Sequence, residues 1–288
     1  MVVQTVCKLK YRLDRLYALV FFFAVGWAGM TMADEPVPLS EPDVCARAGK
    51  LLMESQPSDE IRTSIASYAI FSKGDRIGEI QSRRRVNTVG NELEIASRTS
   101  MEIDGLFLDY SFKSSESVCI IDGQVKYYDA QVEENGVRSR IQAEISRNGR
   151  LVIKGSGSTE SDAFESVLDE DYSVVSELAY VSVIKKRIPS ITKVVLDMDD
   201  LDTRKVTYRY RGTKEMAIGE STYTTHAVEF VSPEKRGTRW FVSDCGSYLP
   251  VLERGEDENG EYGVELVKLE CDSAQGAASK GTSEERQR

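Results

Sequence analysis

The sequence predicts a β-rich α+β fold: an antiparallel meander of about a dozen strands that form a curved sheet or half-barrel, with one or two helices packed on it. From Ser67 onward, apolar and polar residues alternate with a period of two, as in "RIQAEIS", where Ile141, Ala143 and Ile145 share one face. Asp-Gly and Asn-Gly pairs separate these stretches and supply the positive φ angles of tight hairpin turns. A helical period appears only near the N terminus and near residues 172–187.

The alternation places strands in two groups on either side of the second helical stretch. The first group is predicted at 66–72, 76–86, 91–103, 106–120, 124–133, 137–146 and 150–154, and the second at 204–211, 214–219, 222–231, 237–243, 247–254 and 262–271. Corners of the first group are Lys73-Gly74-Asp75, Val89-Gly90-Asn91, Asp104-Gly105, Asp122-Gly123, Asn135-Gly136 and Asn148-Gly149. Such a long meander must curl or close to protect its edge strands.

The first 33 residues have the pattern of a secretory signal peptide. Four basic residues precede the apolar run 16–32, and Thr31 and Ala33 are small enough for cleavage after residue 33. The alternative is an uncleaved membrane anchor, since the run approaches the length of a span. No other stretch is long and apolar enough to span a bilayer. We therefore expect a periplasmic or secreted protein with no membrane span after signal removal.

Removal of this segment makes the chain more acidic. It takes away 4 of 37 basic and 1 of 47 acidic residues, so the net charge changes from −10 to −13. Such a charge disfavours nucleic acid and anionic lipid head groups as bulk partners, but it does not bear on an apolar pocket.

Two flanking segments complete the predicted organisation. Residues 34–65 form an N-terminal helical segment, in which Ser40 is a plausible N-cap for "SEPDVCARAGKLLMES". Residues 66–271 form a single antiparallel β domain. Residues 272–288 lack large apolar side chains and are predicted to be disordered.

Four cysteines remain after signal removal, an even number that favours disulfides in an oxidising compartment. Three pairings are open. A hairpin turn at "EDENG" would place Cys245 opposite Cys271, which leaves Cys45 to pair with Cys119. The alternative is buried free thiols. No Cys-x-x-Cys motif or Cys/His cluster is present, so we expect no zinc site and no other metal.

The strand and turn spacing resembles that of a known family. "YAIFSKGDRIGEI" and "IDGQVKYYDAQVEENGVRSRIQAEISRNGRLVIKG" resemble uncharacterised secreted bacterial β-proteins with a domain of unknown function, in which a Y-x-V…G-x-x-I-G hairpin leads into strands ending in DG-x-L and G-x-x-Y-x-V. "GTRWFVSDCGSYLPVL" resembles the closing W-Y-x-x-D-G-x-x-V turn of that family, with Cys245 and Gly246 at its Asp-Gly corner, a departure that fits a bridge rather than a site.

The resemblance covers residues 66–271. It implies an architecture similar to that of the lipoprotein-localisation carriers, whose curved sheet wraps a helix around an apolar cavity. Fold similarity of this kind does not determine function.

The chain shows no recognisable catalytic motif. His226, the only histidine, lies in a predicted strand, where a structural role is the more common one. "DMDDLD" at 197–202 lacks EF-hand spacing and is better explained as a solvated acidic turn. "SRRRV" at 82–86 is interpreted as a solvated strand edge rather than an anion site. We expect no enzyme activity and no cofactor.

Two non-catalytic functions therefore lead. In the first, an apolar groove under the curved sheet binds a lipid or an acylated ligand. Candidate lining residues are Phe107, Tyr110, Tyr127, Tyr208 and Tyr210, although a place in the ordinary core is the more common explanation for each. In the second, the core is filled and the protein is an envelope module that binds another protein through its surface. A hydrolase with unrecognised carboxylate chemistry is a distant alternative.

Overall fold

The structure, a computed structural model, is built almost entirely of β-strands. It describes Cys45 and residues 61–87, 91–103, 110–146, 150–157, 163–167, 174–197, 202–218, 221–245, 247–257 and 260–272. The strands are β1 (Ile61–Ser72), β2 (Asp75–Asn87), β3 (Glu92–Ile103), β4 (Tyr110–Ile121), β5 (Gln124–Glu134), β6 (Val137–Ile145), β7 (Leu151–Ser156), β8 (Phe164–Val167), β9 (Val174–Val175), β10 (Ile191–Asp197), β11 (Asp202–Ile218), β12 (Ser221–Val231), β13 (Arg236–Asp244), β14 (Ser247–Asp257) and β15 (Gly260–Asp272). One helix among these residues, α1 (Ser176–Lys186), lies between β9 and β10.

All fifteen described strands belong to one sheet. Its order is β8-β7-β6-β5-β4-β3-β2-β1-β15-β14-β13-β12-β11-β10-β9, so two meanders are joined where the first strand pairs with the last. Every pairing is antiparallel except that of β9 with β10. The sheet is not closed by hydrogen bonds, but it curls enough to bring β9 near β5 and β11 near β15. The predicted curved antiparallel sheet is confirmed.

The hairpin turns form where the sequence places residues that tolerate positive φ. Asp122 and Gly123 have φ values of 53° and 82°, and Asn135 and Gly136 have 49° and 79°. Two successive left-handed residues produce a turn whose twist matches that of the flanking strands. These two turns therefore account for the tight β4–β5 and β5–β6 hairpins.

Helix α1 ends by a specific backbone arrangement. The amide of Ile188 donates to the carbonyl of Val183 at 3.1 Å, and the amide of Arg187 donates to that of Ile184 at 3.1 Å. Arg187 adopts a left-handed φ of 48°, which completes a Schellman motif, and Pro189 follows. This termination directs the chain into β10, which pairs antiparallel with β11.

Parts of the sheet differ from the sequence prediction. β1 begins at Ile61 rather than at residue 66, and β8, β9 and β10 were not predicted. The predicted corner between 211 and 214 is instead a β-bulge within the continuous strand β11, where Gly212 has a φ of 98°. A left-handed glycine can open a bulge as well as a turn, because both need positive φ and only the partner strand distinguishes them.

Two disulfides connect strands to more distant parts of the chain. Cys45 is bonded to Cys119 of β4, and Cys245, in the β13–β14 turn, is bonded to Cys271 near the end of β15. Both bridges are the pairs that the sequence argument favoured, and the β14–β15 hairpin on which the second prediction depended is present. Pairing between these two strands ends before Cys271, which lies opposite Ser64 of β1, so the two cysteines are not themselves a paired position of the hairpin. The bridge therefore joins the β13–β14 turn to the part of β15 that pairs with β1.

Other predictions fall wholly or mostly outside the described residues: the signal peptide at 1–33, the helical segment at 34–65, of which only Cys45 and residues 61–65 are described, and the tail at 272–288, of which only Asp272 is described. Among the described residues, no helix combines the length and hydropathy that a membrane crossing needs. The two disulfides are typical of proteins in oxidising compartments.

Candidate functional site: the inner face of the sheet

One face of the curled sheet, here called the inner face, is the face against which α1 packs. Strand alternation and register place Val118 and Tyr128 of the first meander and Val228 and Phe230 of the second on this face. α1 contacts both meanders: Leu178 packs against buried residues of the first meander, and Tyr180 packs against buried residues of the second. The inner face is therefore the part of the molecule where side chains from both meanders converge.

The inner face of the first meander is apolar over five neighbouring strands. A single row across it, here called the apolar row, consists of directly paired residues: Ile95, Val118, Tyr128, Ala143 and Ile153. Four of these are buried, and Ile95 is half-buried. Further buried residues extend the surface on both sides of the row: Leu93, Ile120, Val125, Ala130 and Leu151. The result is one continuous apolar surface rather than scattered contacts.

The inner face of the second meander is filled by α1. The ring of Tyr180 lies edge-on to Tyr208, with centroids 4.9 Å apart, and 5.2 Å from the ring of Phe241. Burial raises the pKa of the Tyr180 hydroxyl well above its ordinary value, so the side chain is neutral. This half of the inner face is a packed core.

A buried ion pair borders this core. The Nε of Arg239 donates to Glu253 Oε2, and Tyr262 donates from its hydroxyl to Glu253 Oε1 at 2.9 Å. The guanidinium carbon of Arg239 lies 4.7 Å from the centre of the Tyr180 ring, within cation–π range. Burial, followed by the negative charge of Glu253, raises the pKa of Tyr262. Helix and sheet are thus held together by a charged network as well as by apolar contacts.

Two further polar groups on the inner face have no hydrogen-bond partner among the described residues. These are the hydroxyl of Tyr68, a residue that is only 6% exposed, and the buried Nε of Arg84. A buried donor that lacks a partner costs about 1–3 kcal/mol, so native proteins keep few of them. Sequence reasoning missed both. It interpreted "SRRRV" as solvated, although strand alternation must turn the middle arginine to the face opposite Arg83 and Arg85.

The four predicted groove residues that the structure describes do not all lie on one face of the sheet. Tyr110 and Tyr208 are buried on the inner face, and Tyr210 is half-buried there. Tyr127 lies on the outer face, where it packs against the Cys45–Cys119 disulfide. Phe107 lies outside the described residues. Tyr208 belongs to the packed core around α1, so it is not available as a groove wall in this structure.

His226 occupies a structural position on the inner face. The hydroxyl of Tyr210 lies 3.0 Å from His226 Nδ1, and the ring of Tyr248 lies 5.6 Å away, edge-on. Burial, with a contribution from the positive charge of Arg187, lowers the pKa of His226 below 6.5. The neutral imidazole therefore fits this site better than the charged one.

This lowered pKa predicts a pH dependence of stability. Because the folded chain holds the His226 proton less tightly than the unfolded chain, the contribution is complete above the unfolded pKa of about 6.5 and decreases as the pH falls through that value. We expect the melting temperature to fall between about pH 7.5 and about pH 5.5, and to fall less in His226→Gln, measured by circular dichroism. Parallel curves for the two proteins would contradict this assignment.

The outer face and one cleft are charged. On the outer face, Arg209 and Arg211 both bind Glu229, and these two cations outweigh burial and lower the pKa of that carboxyl. A cleft of 620 Å³ lies near the turns that follow β1 and β14 and is lined by Phe71, Lys73, Arg236, Arg254, Glu256 and Tyr262 among others. Arg236 and Glu256 are paired at 2.7 Å. The charges of the cleft are thus largely matched within the protein.

The described residues offer no convincing metal site. Two groups place three side chains with metal-binding atoms close together: Cys45 with Glu92 and Cys119, and Asp244 with Cys245 and Cys271. The cysteines in both groups are in disulfides, so they supply no thiolate.

Comparison with known proteins agrees with this architecture. No family model and no curated protein matches the chain. A crystal structure of a β-barrel-like protein with a domain of unknown function, DUF1849, from Brucella abortus superposes with a TM-score of 0.54 and 12% sequence identity, and covers 74% of this chain and 98% of that one. At this identity the similarity establishes the fold alone: the chain adopts the β-barrel-like architecture of a protein whose domain has no assigned function.

Proposed function

We propose that the protein is a non-catalytic envelope protein that binds an apolar or lipid-like ligand under the curved sheet. The observation that carries the proposal is the continuous apolar surface of β3–β7 on the inner face. Among the described residues, α1 reaches this surface through Leu178, whereas it fills the inner face of the second meander with Tyr180. Four residues of the row are at most 8% exposed in this structure, so a ligand held between α1 and the row would replace contacts within the protein and be shielded from water.

The proposed location is the periplasm or the outside of the cell. Both disulfides support an oxidising compartment, and the N-terminal signal pattern supports export. A carrier in this compartment needs no energy source within its own chain, which is consistent with a fold without a nucleotide-binding motif.

The second candidate function, a protein-interaction module, is favoured by a different observation. Ile65 and Val267 are exposed on neighbouring strands β1 and β15, with 38% and 60% of their surface accessible. Exposed apolar residues on adjacent strands are a common feature of contact surfaces between proteins. The two functions are compatible with one fold, and the experiment below distinguishes them.

Native mass spectrometry of the protein purified from its own host tests the first function directly. We expect a reproducible additional mass that disappears when the protein is denatured. The neutral fluorescent probe N-phenyl-1-naphthylamine should also bind saturably to the delipidated protein. A bare native mass together with no saturable binding of the probe would contradict the proposal and leave the interaction module as the better account.

A matched pair of variants locates the ligand. Ala143→Phe places a ring in the apolar row, and Glu144→Phe places the same ring on the exposed outer face of the same strand. We expect Ala143→Phe to lose the additional mass and the probe, while Glu144→Phe keeps both. Because overpacking commonly costs about 1–3 kcal/mol, circular dichroism and a thermal melt must show that both variants are folded.

A further inference from the structure

Tyr68 and Arg84 lie on the inner face of the neighbouring strands β1 and β2, four residue positions apart along the strands. Register places Tyr68 opposite Ile80 and Arg84 opposite Ser64, so both side chains point to the same side of the sheet. The neighbours of Arg84 on this face are two buried serines, Ser64 and Ser82, and two half-buried apolar residues, Val86 and Ile95. None of these four side chains carries a charge that could pair with the guanidinium.

The electrostatic field at this position is positive. Burial raises the pKa of the Tyr68 hydroxyl, and the charges of Arg84 and Arg239 both oppose that shift, so two guanidinium groups act on the same phenol oxygen. Arg239 is neutralised by Glu253. The ion pairs among the described residues include none between Arg84 and a carboxylate. The positive charge of Arg84 is therefore not compensated by the part of the chain that the structure describes.

This charge stands at the end of the apolar row. Arg84 pairs directly with Ile95, the first residue of the row, and the row then continues through β4, β5 and β6 to Ile153 of β7. With strands about 4.8 Å apart, the five steps from β2 to β7 span roughly 24 Å, the scale of a long acyl chain. This series of paired residues thus begins with a cationic side chain on β2 and is apolar from β3 to β7.

We propose that Arg84 and Tyr68 bind the anionic head group of an amphiphile whose acyl chain lies along the apolar row. This inference rests on the proposed function and specifies its ligand class. Arginine offers a planar pair of N–H donors that matches carboxylate and phosphate oxygens, and the Tyr68 hydroxyl donates a further hydrogen bond. Both groups would then have the partners they lack within the described chain.

The acidic character of the whole chain does not oppose this site. A net charge of −13 after signal removal repels extended anionic surfaces, but a single head group next to Arg84 responds mainly to that nearby charge. The expected ligand is therefore one amphiphile molecule taken from its membrane or carrier, and not a membrane surface.

Isothermal titration of the delipidated protein with four probes tests the inference. Palmitate carries a carboxylate, hexadecyl phosphate carries a phosphate, and 1-hexadecanol and N-phenyl-1-naphthylamine carry no charge. We expect at least one anionic probe to bind about tenfold or more tightly than 1-hexadecanol, and its preference over the other anionic probe identifies the head group. Arg84→Gln should weaken the anionic probe about tenfold to a hundredfold and leave the neutral probes within about twofold.

Three variants control the measurement. Arg83→Gln removes a neighbouring arginine from the opposite face of the same strand and should change nothing. Arg84→Lys keeps the charge without the planar donor pair and should retain part of the anionic preference, which also protects the test if Arg84→Gln fails to fold. Tyr68→Phe should weaken the anionic probe while keeping the ring in place.

The outcomes separate the two proposals. Equal binding of charged and neutral probes, with no effect of Arg84→Gln, would overturn the head-group inference and leave the apolar carrier standing. Equal weakening of all four probes in Arg84→Gln would assign Arg84 a structural role and overturn the inference as well. Failure of every probe to bind would overturn the proposed function, and the head-group inference with it.

Discussion

Replacement of Tyr180 by alanine should lower the free energy of unfolding by about 3–5 kcal/mol, the cost typical of removing a buried aromatic side chain. Tyr180 is 4% exposed and joins α1 to three strands through Tyr208, Phe230 and Phe241. It also provides the aromatic face beneath Arg239. The substitution therefore opens a cavity and removes one contact of a buried charge. Urea unfolding followed by circular dichroism measures the loss.

Tyr180→Phe is the matched control. It keeps the ring, and with it the aromatic contacts and the face presented to Arg239, but removes the hydroxyl. We expect a loss of about 1 kcal/mol or less, because only a polar group is deleted. If the phenylalanine variant were as unstable as the alanine variant, the hydroxyl rather than the ring would be holding the helix in place.

Loss of the Cys45–Cys119 disulfide should have a comparable effect. The bridge closes a loop with a sequence separation of 74, for which the chain-entropy relation gives about 4.5 kcal/mol of stabilisation. The double variant Cys45→Ala/Cys119→Ala also leaves a gap beside Tyr127 and Ile121, because Cys119 is completely buried. Comparison of urea midpoints for the oxidised protein and the double variant measures the effect.

The second disulfide provides the comparison. Cys245–Cys271 has a sequence separation of 26, so the same relation gives about 3.5 kcal/mol, and Cys271 is exposed. We expect Cys245→Ala/Cys271→Ala to be the milder of the two double variants. A larger loss for this pair would show that the position of the bridge, between the β13–β14 turn and β15, matters more for stability than the length of the loop it closes.

Much of the sheet could be predicted from local patterns. The alternation of apolar and polar residues places most strands within a few residues of their observed bounds, and the Asp122-Gly123 and Asn135-Gly136 turns are where the sequence predicts them. These features are local, since a turn and a period of two depend on residues close in the chain. Gly212 shows the limit of this reasoning, because its positive φ serves a bulge within β11 instead of a turn.

The candidate site was harder to predict. The sequence argument selected aromatic residues for a groove, and these ended on both faces: Tyr208 in the packed core and Tyr127 beside a disulfide. It did not select Arg84, because a run of three arginines is typical of a solvent-exposed strand. The strand period already implied that Arg84 faces away from Arg83 and Arg85, but no local feature tells which face of a strand becomes the concave one.

Local sequence patterns were enough to predict most of the strands, the tight turns and a signal for export, because each depends on neighbouring residues or on composition. Three other features became visible only in the folded chain: that the first strand pairs with the last, that α1 packs inside the curl, and that Arg84 stands at the end of an apolar row. All three depend on contacts between residues far apart in the chain. Such contacts are selected by the burial of whole surfaces when the sheet curls, and no local pattern of residues specifies which surfaces will meet.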